Sequence, residues 1–472
     1  MTVSAPSRPS TLLDRGVPSA QAEAKARNAR ANACVSASSD VFGHLSVISL
    51  ALAVVLPLLA TAAAADTDNL VHGRIELQEI GSFTRSNTLD AELHAQDRSD
   101  FNTDIRITWE PVFGRWSALL HYVVDADYGD GVRLARDEAG LVPAPSSTWF
   151  DLTETFENHA DFFATQRIDR IALAYTAPDF VLRLGRQALT WGSGLVFRPM
   201  DLFDPFSPTA TDTEWKPGTD MVYAQYLFAD GSDLQFIAVP RTDSSSGRQA
   251  IGVGSPPPSG SGALTWDASS FALHFHTTIA DHATTLLVAR DHGDWVLAAG
   301  LNGALAGATW NIEFVPTFLE TGGARVSALA NISDAITVAG HNTTVFAEYF
   351  HNGFGVTGSD VALATLPPDL LDRLARGQLF NLRQNYLAAG FTMEVNPLLD
   401  ASPTLLADLD DGSLYALFQA SYSLDEDLTL IAGAQAPIGP SGSEFGGIHL
   451  APGGNVFLGS PARLYVQLRR YF

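Results

Sequence analysis

The sequence predicts an all-β fold: a transmembrane antiparallel β-barrel of about 16–18 strands, preceded by a signal peptide. Three observations carry this. After Ala65 no apolar run approaches the ~20 residues that a membrane helix needs. Segments of about ten residues instead alternate apolar with polar or small side chains, the period-2 pattern of a strand whose two faces meet different surroundings. Through the first half of the chain long connections alternate with short ones, as in a barrel with tight turns at one end and loops at the other.

The leader comes first. Leu45 to Ala60 is an uncharged apolar run of 16 residues, followed by TAAAAD. A core of that length and small residues before a cut after Ala65 fit a secretory signal. The run is short for a membrane helix and contains Pro57. The 44 residues before it are a long n-region with Arg8, Arg15, Lys25, Arg27 and Arg30. The chain therefore divides into a leader, 1–65, and a barrel, 66–472. The only cysteine, Cys34, lies in the leader, so the exported part has no thiol chemistry and no thiolate metal site. Lys plus Arg number 28 against 52 Asp plus Glu, a formal charge of −24, and the leader holds only three of the acids. Nucleic acid is excluded as a partner, because phosphate binding needs clustered Lys and Arg. Cations suit this balance better.

The strands then follow in order. His72 to Phe83 opens the pattern, and Asp104 to Glu110 repeats it, with Ile105, Ile107 and Trp109 opposing Asp104, Arg106 and Thr108. Pro111 to Arg115 turns into Trp116 to Val124. A long acidic connection, Asp125 to Asp169, leads to a tight hairpin of Arg170–Thr176 and Phe180–Gln187. Alternating segments continue to the end of the chain, eighteen in all. The alternation of loop lengths falters at Asp291 to Asp294, which is short where a long loop is due. PPDLLDRLARGQ within 351–385 reads as a short helix on a loop, and GVGSPPPSGSG (252–262) and GPSGSEFGGIHLAPGGN (439–455) read as external loops. Trp116, Tyr122, Tyr175, Trp295, Tyr349, Tyr386 and Tyr471, at segment ends, fit the aromatic girdles of a membrane barrel.

One stretch stands apart, Val181 to Asp220. It opens as a strand and becomes a segment with four prolines and many aromatics, which rules out a helix or a central strand. It is too apolar for plain solvent. One place for it is inside the barrel, narrowing the lumen; the alternative is a lid over one rim. Its lumen or constriction candidates are Arg183, Gln187, Trp191, Asp201, Asp204, Asp212, Glu214, Lys216 and Asp220. Inside the pore, the carboxylates would face Arg183 across the passage. Alternation also turns Arg74, Arg106, His121, Arg170, Gln235, His274, His276, Glu313, Glu348 and Gln435 inward, where lumen charge sets what passes. His274 and His276 share a face, but no third metal ligand is evident.

The last strand, LYVQLRRYF, sets Leu464, Val466 and Leu468 against Tyr465, Gln467, Arg469 and Tyr471 and ends at Phe472. It resembles the assembly signal of Gram-negative outer-membrane barrels, apart from Arg470 on the apolar face, which would snorkel to the interface. LRLGRQ (182–187) resembles the strand that precedes the inward third loop of porins. These likenesses imply an outer-membrane location and partners to match. The partners are outer-membrane lipid and lipopolysaccharide, the barrel-assembly machinery through the strand ending at Phe472, and small solutes. A homo-oligomer is left open.

The function expected is passive diffusion of small polar solutes with a preference for cations, narrowed by loop 195–220. Two alternatives stand beside it: a substrate-specific transporter whose sugar-like or apolar ligand stacks on Trp191 or Trp215, and a secreted glycan-binding β-sandwich. No nucleophile elbow or HExxH pattern occurs, so no catalytic residue, metal or cofactor is expected.

Overall fold

The computed structural model describes residues 71–93, 97–137, 148–242, 264–358 and 361–472. The leader and the stretch 252–262 lie outside them. Eighteen strands pair in chain order and close into a ring. They are β1 (Val71–Phe83), β2 (Asp97–Trp109), β3 (Trp116–Gly129), β4 (Phe162–Thr176), β5 (Phe180–Gln187) and β6 (Thr219–Leu227). Next come β7 (Asp233–Val239), β8 (Ser270–Ile279), β9 (His282–Asp291), β10 (Asp294–Leu305), β11 (Ala308–Phe318) and β12 (Ala324–Val338). The ring is completed by β13 (His341–His351), β14 (Asn385–Asn396), β15 (Leu399–Asp408), β16 (Leu414–Asp425), β17 (Leu428–Ile438) and β18 (Ala462–Tyr471). Every neighbouring pair is antiparallel, and β1 pairs with β18 from Arg74↔Tyr471 to Phe83↔Ala462. The expected strands are all present, although β2 and β4 begin several residues earlier than the alternation shows. Such closure leaves no strand edge unpaired, which a chain in lipid requires. This is the architecture of an outer-membrane barrel.

Turn chemistry sets the ends. Ala280 and Asp281, Ala306 and Gly307, and Ala339 and Gly340 all have positive φ, the type I′ geometry whose twist matches that of paired strands. These turns share one end with the start of β1 and the end of β18. The opposite end carries the long loops, yet His292 and Gly293 make a two-residue turn of the same kind there (φ 48° and 87°). That turn is the reason the alternation of loop lengths breaks.

Outward side chains are apolar. Leu286 and Val288 are 49% and 44% exposed, whereas Leu287 and Ala289, which alternate with them, are buried. Trp116 packs against Tyr175 at the short-turn end, and Trp295 and Tyr349 face outward at the other. Two expected girdle residues turn inward instead. Tyr386 is fully buried, donates to Glu444, and packs on Phe197, while the Tyr471 hydroxyl donates to Glu214 at 2.8 Å. Arg470 lies on the outer face and reaches the β16–β17 turn, 3.8 Å from Asp425 and 3.6 Å from Asp427. Its charge thus sits at the interface.

Among the described residues three α-helices decorate the long-loop end: α1 (Leu89–Leu93), α2 (Asp130–Asp137) and α3 (Pro368–Ala375). In α3, Pro368 occupies the first turn, where no amide is needed. Leu370 is buried, and Arg373 donates to Asp294 at 2.8 Å. The loop 439–455 is not simply external. Its Glu444, Phe445 and Ile448 dip into the mouth among Tyr386, Tyr415 and the segment 380–382.

The outer face gives a direct test. Leu286→Arg, near the middle of β9, is expected to cost about 2–4 kcal/mol in lipid, read from urea refolding into vesicles. Equal stability of the variant and the parent would remove the membrane from the account.

Candidate functional site

The interior contains segment 188–218, which joins β5 to β6. Both of its ends are pinned by one register pair: Arg186 donates to both oxygens of Asp220, at 2.8 and 2.9 Å. Asp220 therefore belongs to the wall and does not project as a free carboxylate. Gln187, next to it, is buried, and its side-chain nitrogen makes no hydrogen bond.

The segment first makes a tight turn, Trp191-Gly192-Ser193-Gly194. Gly192 has φ 88°, and a Cβ on Gly194 would lie 1.8 Å from the Phe197 carbonyl oxygen, so this turn accepts no side chain at 194. The turn aims consecutive amides at the opposite wall. Leu195, Val196 and Phe197 donate to the Glu348 carboxylate of β13 at 2.6, 2.9 and 2.7 Å, and Ser193 donates to Glu313 of β11. Asn331 of β12 completes the cluster, donating to the Ser193 carbonyl at 3.0 Å and to Glu348 at 2.9 Å. A carboxylate cradled by several amides is a strong, charge-assisted arrangement.

Apolar packing holds the same part of the segment. Trp191, Met200, Leu202 and Phe203 bury against inward residues of β6 to β11, among them Tyr223, Ile237, Leu287, Val296 and Val315. Phe197 buries against Leu329, Phe350, Tyr386 and Leu406 of β12 to β15. The lumen is thus not lined by polar side chains all round. In this sector the strands present apolar side chains inward to the loop as well as outward to lipid, interrupted by the polar contacts of Gln235, Glu313, Asn331 and Glu348.

The other wall is basic. Asp212 and Glu214 extend across the barrel to Arg74 of β1, at 2.9 and 2.8 Å, and to Arg469 of β18, at 3.2 and 3.6 Å. Trp215 lies between Arg106 and Arg170, whose guanidinium carbons are 4.9 and 5.5 Å from its ring centre, with the His121 ring against its edge. Burial alone would raise the Asp212 carboxyl, but Arg74 and Arg469 reverse this and hold it below the usual carboxylate range. Within the loop, Lys216 donates to both oxygens of Asp201 at 2.7 Å, and also to the Leu189 carbonyl. Burial pushes Asp201 up to about 6 against the pull of Lys216, and pushes Lys216 down. Their shared latch is closely matched but desolvated.

Of the other expected site residues, Asp204 sits at φ 52° and accepts from Thr219. Arg183 does not face the loop carboxylates; its guanidinium lies 5.2 Å over the Tyr223 ring. That partner role belongs to Arg74 and Arg469, because the tip of the loop reaches the seam strands and not β5. Nor does Trp191 offer a face for stacking. Its ring is 5% exposed, stacked on His274 at 4.9 Å, and its N–H donates to Gln235 at 3.0 Å. The faces of Trp215 are flanked by arginine. His274 is thereby part of the packing, and His276 lies 3.4 Å from Asp233. Among the described residues no group of three or more His, Cys, Asp or Glu could hold a metal ion. The reading of the sequence missed Arg186 and Asn331, whose neighbours here are remote in the chain or across a strand pair.

No protein-family model and no curated protein matches the chain. Solved structures similar to it include Pseudomonas aeruginosa OccK5, with 6% identity over 85% of this chain and 98% of that one and a TM-score of 0.48. Acinetobacter baumannii OccAB2 has 10% identity over 85% and 97%, also with a TM-score of 0.48. The outer membrane protein opdK of Pseudomonas aeruginosa has 9% identity over 85% and 98%, with a TM-score of 0.46. At such identities and scores the likenesses carry no functional conclusion.

Glu348 is the residue to remove. Glu348→Ala leaves three amides without their acceptor, at a cost of about 1–3 kcal/mol for each group that stays dry. Thermolysin is then expected to cut within 188–218 in the folded, detergent-solubilised barrel, with Glu348→Gln intermediate. Protection equal to the parent's would show that the apolar packing alone holds the segment.

Proposed function

We propose that the barrel is an outer-membrane channel for passive diffusion of small polar solutes, with segment 195–220 setting the width of its passage. One observation carries this reading: the segment meets the two sides of the barrel with different chemistry. Against β6 to β15 the contact is buried, with apolar packing around loop amides held by Glu313 and Glu348. Against β18, β1 and β2 it consists of charged groups and a flanked indole, which hydrate readily. The solute path follows this basic side.

The proposed cation preference has its support at the rims. Asp212 and Glu214 are neutralised by Arg74 and Arg469, so they add little net field. Asp230, Asp281 and Glu426 at the short-turn end are exposed, as are Glu320 and Asp410 at the other. Carboxylates at both mouths raise the local concentration of cations. The protein acts without chemistry on its solute. Stacking of a sugar on Trp191 or Trp215 loses its support, since both rings are already engaged.

The test is the current through the detergent-folded protein in a planar bilayer, with selectivity from the reversal potential under a salt gradient. Discrete, cation-preferring steps are expected, and a barrel that inserts and passes no current would overturn the channel. Asp212→Asn combined with Glu214→Gln frees the charged edge of the loop and is expected to raise the single-channel conductance severalfold. An unchanged conductance would place the narrowing elsewhere.

Acidity should act on the latch first. As pH falls through about 6, Asp201 takes up a proton and Lys216 loses its ionic partner, while Asp212 keeps its charge. Current noise is therefore expected to be greater at pH 5 than at pH 7.5, and Asp201→Asn should be noisy at both.

A further inference from the structure

Segment 439–455, between β17 and β18, folds back into the long-loop mouth, and one side chain fastens it. The Glu444 carboxylate accepts from the amides of Leu382 and Arg383, at 3.1 and 3.2 Å, and from the Tyr386 hydroxyl of β14. The Glu444 amide in turn donates to Asp411 at 2.8 Å, and the Phe445 amide donates to Ser413 at 3.2 Å. The segment is thereby tied both to the β13–β14 connection and to the β15–β16 turn. That first connection also reaches the interior, where Gln378 donates to the Leu202 carbonyl at 3.2 Å.

Charge at this fastening does not balance. Asp408, the last residue of β15, and Asp411 both approach Arg383 Nε, at 3.6 and 3.3 Å. Arg383 and Asp408 are each 1% exposed. Neither the two Nη atoms of Arg383 nor Asp408 Oδ2 makes a hydrogen bond among the described residues. With Glu444, three carboxyls meet one guanidinium in a mostly buried place. Like charges so close resist ionising together, so the group keeps a proton. The surrounding charges do not relieve it. Asp410, in the same turn, accepts from the amides of Gln384 and Asn385 and adds a further negative charge. Arg85 is engaged by the Gly439 and Gly446 carbonyls, at 2.9 and 3.1 Å, and His449 Nδ1 donates to the Gly454 carbonyl at 2.7 Å. Tyr415 of β16 donates to Gln435 at 3.1 Å. Across the mouth stand Arg463 of β18 and the Arg98–Asp90 pair, joined at 3.0 Å. Burial pushes the Glu444 carboxyl up to about 7 against the donors of Tyr386 and Leu382. Burial would raise Asp411 as well, but hydrogen bonds from Ser413 and the Glu444 amide hold it below the usual carboxylate range.

We infer that segment 439–455 is a flap over the mouth of the channel, fastened by a proton that Asp408, Asp411 and Glu444 share and released when that proton is lost. The inference rests on the channel reading and adds a regulation to it. In the released flap Glu444 stands in water, where a glutamate ionises near about 4.3. The fastened form therefore binds the proton more tightly than the released one. Fastening is complete in acid and weakens as pH rises through about 7, by roughly tenfold for each further unit and proton. The Asp201–Lys216 latch responds in the opposite sense, loosening in acid, so the two are separable.

Hydrogen–deuterium exchange over residues 441–450 of the full-length, detergent-folded protein reads the flap without a current. Corrected for the intrinsic rise with pH, exchange in the parent is expected to quicken about tenfold or more from pH 6.5 to 8.5. Glu444→Gln carries no charge at either pH. Asp408→Asn removes one of the three carboxyls and still accepts from the Asp410 amide. Both variants should stay protected at pH 8.5, with the heat-modifiable migration of the folded barrel retained. Single-channel conductance should follow, rising between the two pH values in the parent and staying level in Asp408→Asn. Parent protection that is the same at pH 6.5 and 8.5 would overturn the inference, as would a loss at pH 8.5 as large in both variants as in the parent. A flap that opens with pH on a barrel that passes no current would keep the fastening and remove the channel; steady current beneath a flap that stays protected would do the reverse.

Discussion

A polypeptide in lipid has to pair its backbone amides and carbonyls with one another, and everything else in this molecule depends on that closure. The β1–β18 seam is where the ring meets the demand. It runs from Arg74 to Phe83, and two further hydrogen bonds join Gly73 to the last residue, Phe472, at 2.8 and 3.1 Å. The Phe472 ring lies where a side chain at 73 would stand, since a Cβ there would be 2.3 Å from it. The terminal aromatic is thus built into the lipid-facing wall, and the seam carries the two arginines, Arg74 and Arg469, that receive the loop.

Closure also creates the second problem of the fold, an interior too wide for wall side chains to fill. Segment 188–218 occupies it. Its first half behaves like the core of a soluble protein, with Trp191, Phe197, Met200 and Phe203 buried against aliphatic strand residues. Burial of such side chains is worth about 1.5–3 kcal/mol each, which is ample to order a loop without secondary structure. Its second half behaves like a surface, with Asp212 and Glu214 shared between two guanidinium groups. The asymmetry gives the segment a fixed side and an ionic side. The proposed solute path rests on the same asymmetry, with Asp212 and Glu214 compensated by Arg74 and Arg469.

Alternation made the barrel legible because period 2 is a local property: each residue of β2 or β18 declares its face through its neighbours at i±2. It was weakest where both faces are apolar, as in β9, and there only the bounding turns mark the strand. Boundaries shifted for the same reason at β4, whose first half carries Gln166, Arg167 and Asp169 and looks like loop. Tyr386 and Tyr471 were misplaced as girdle residues because an aromatic at a segment end was read by its position along the strand and not by the face it shares with its i±2 neighbours. Within the site, the inward set was readable, including Arg74, Glu313 and Glu348, but their partners were not. Asp212 lies 138 residues from Arg74, and Leu195 lies 153 residues from Glu348.

By itself, then, the sequence determined what local periodicity and composition can determine. That covers an exported all-β chain of eighteen segments, an inward polar face, an apolar proline-rich segment after Gln187 and a final strand ending in Phe472. Only the tertiary structure decided which wall that segment packs against and which it meets through paired charges. It also assigned Asp212 and Glu214 to Arg74 and Arg469 instead of Arg183. The physical reason is range. A strand's face is set by neighbours two residues away, whereas an ion pair across a barrel joins residues that only ring closure brings within 3 Å.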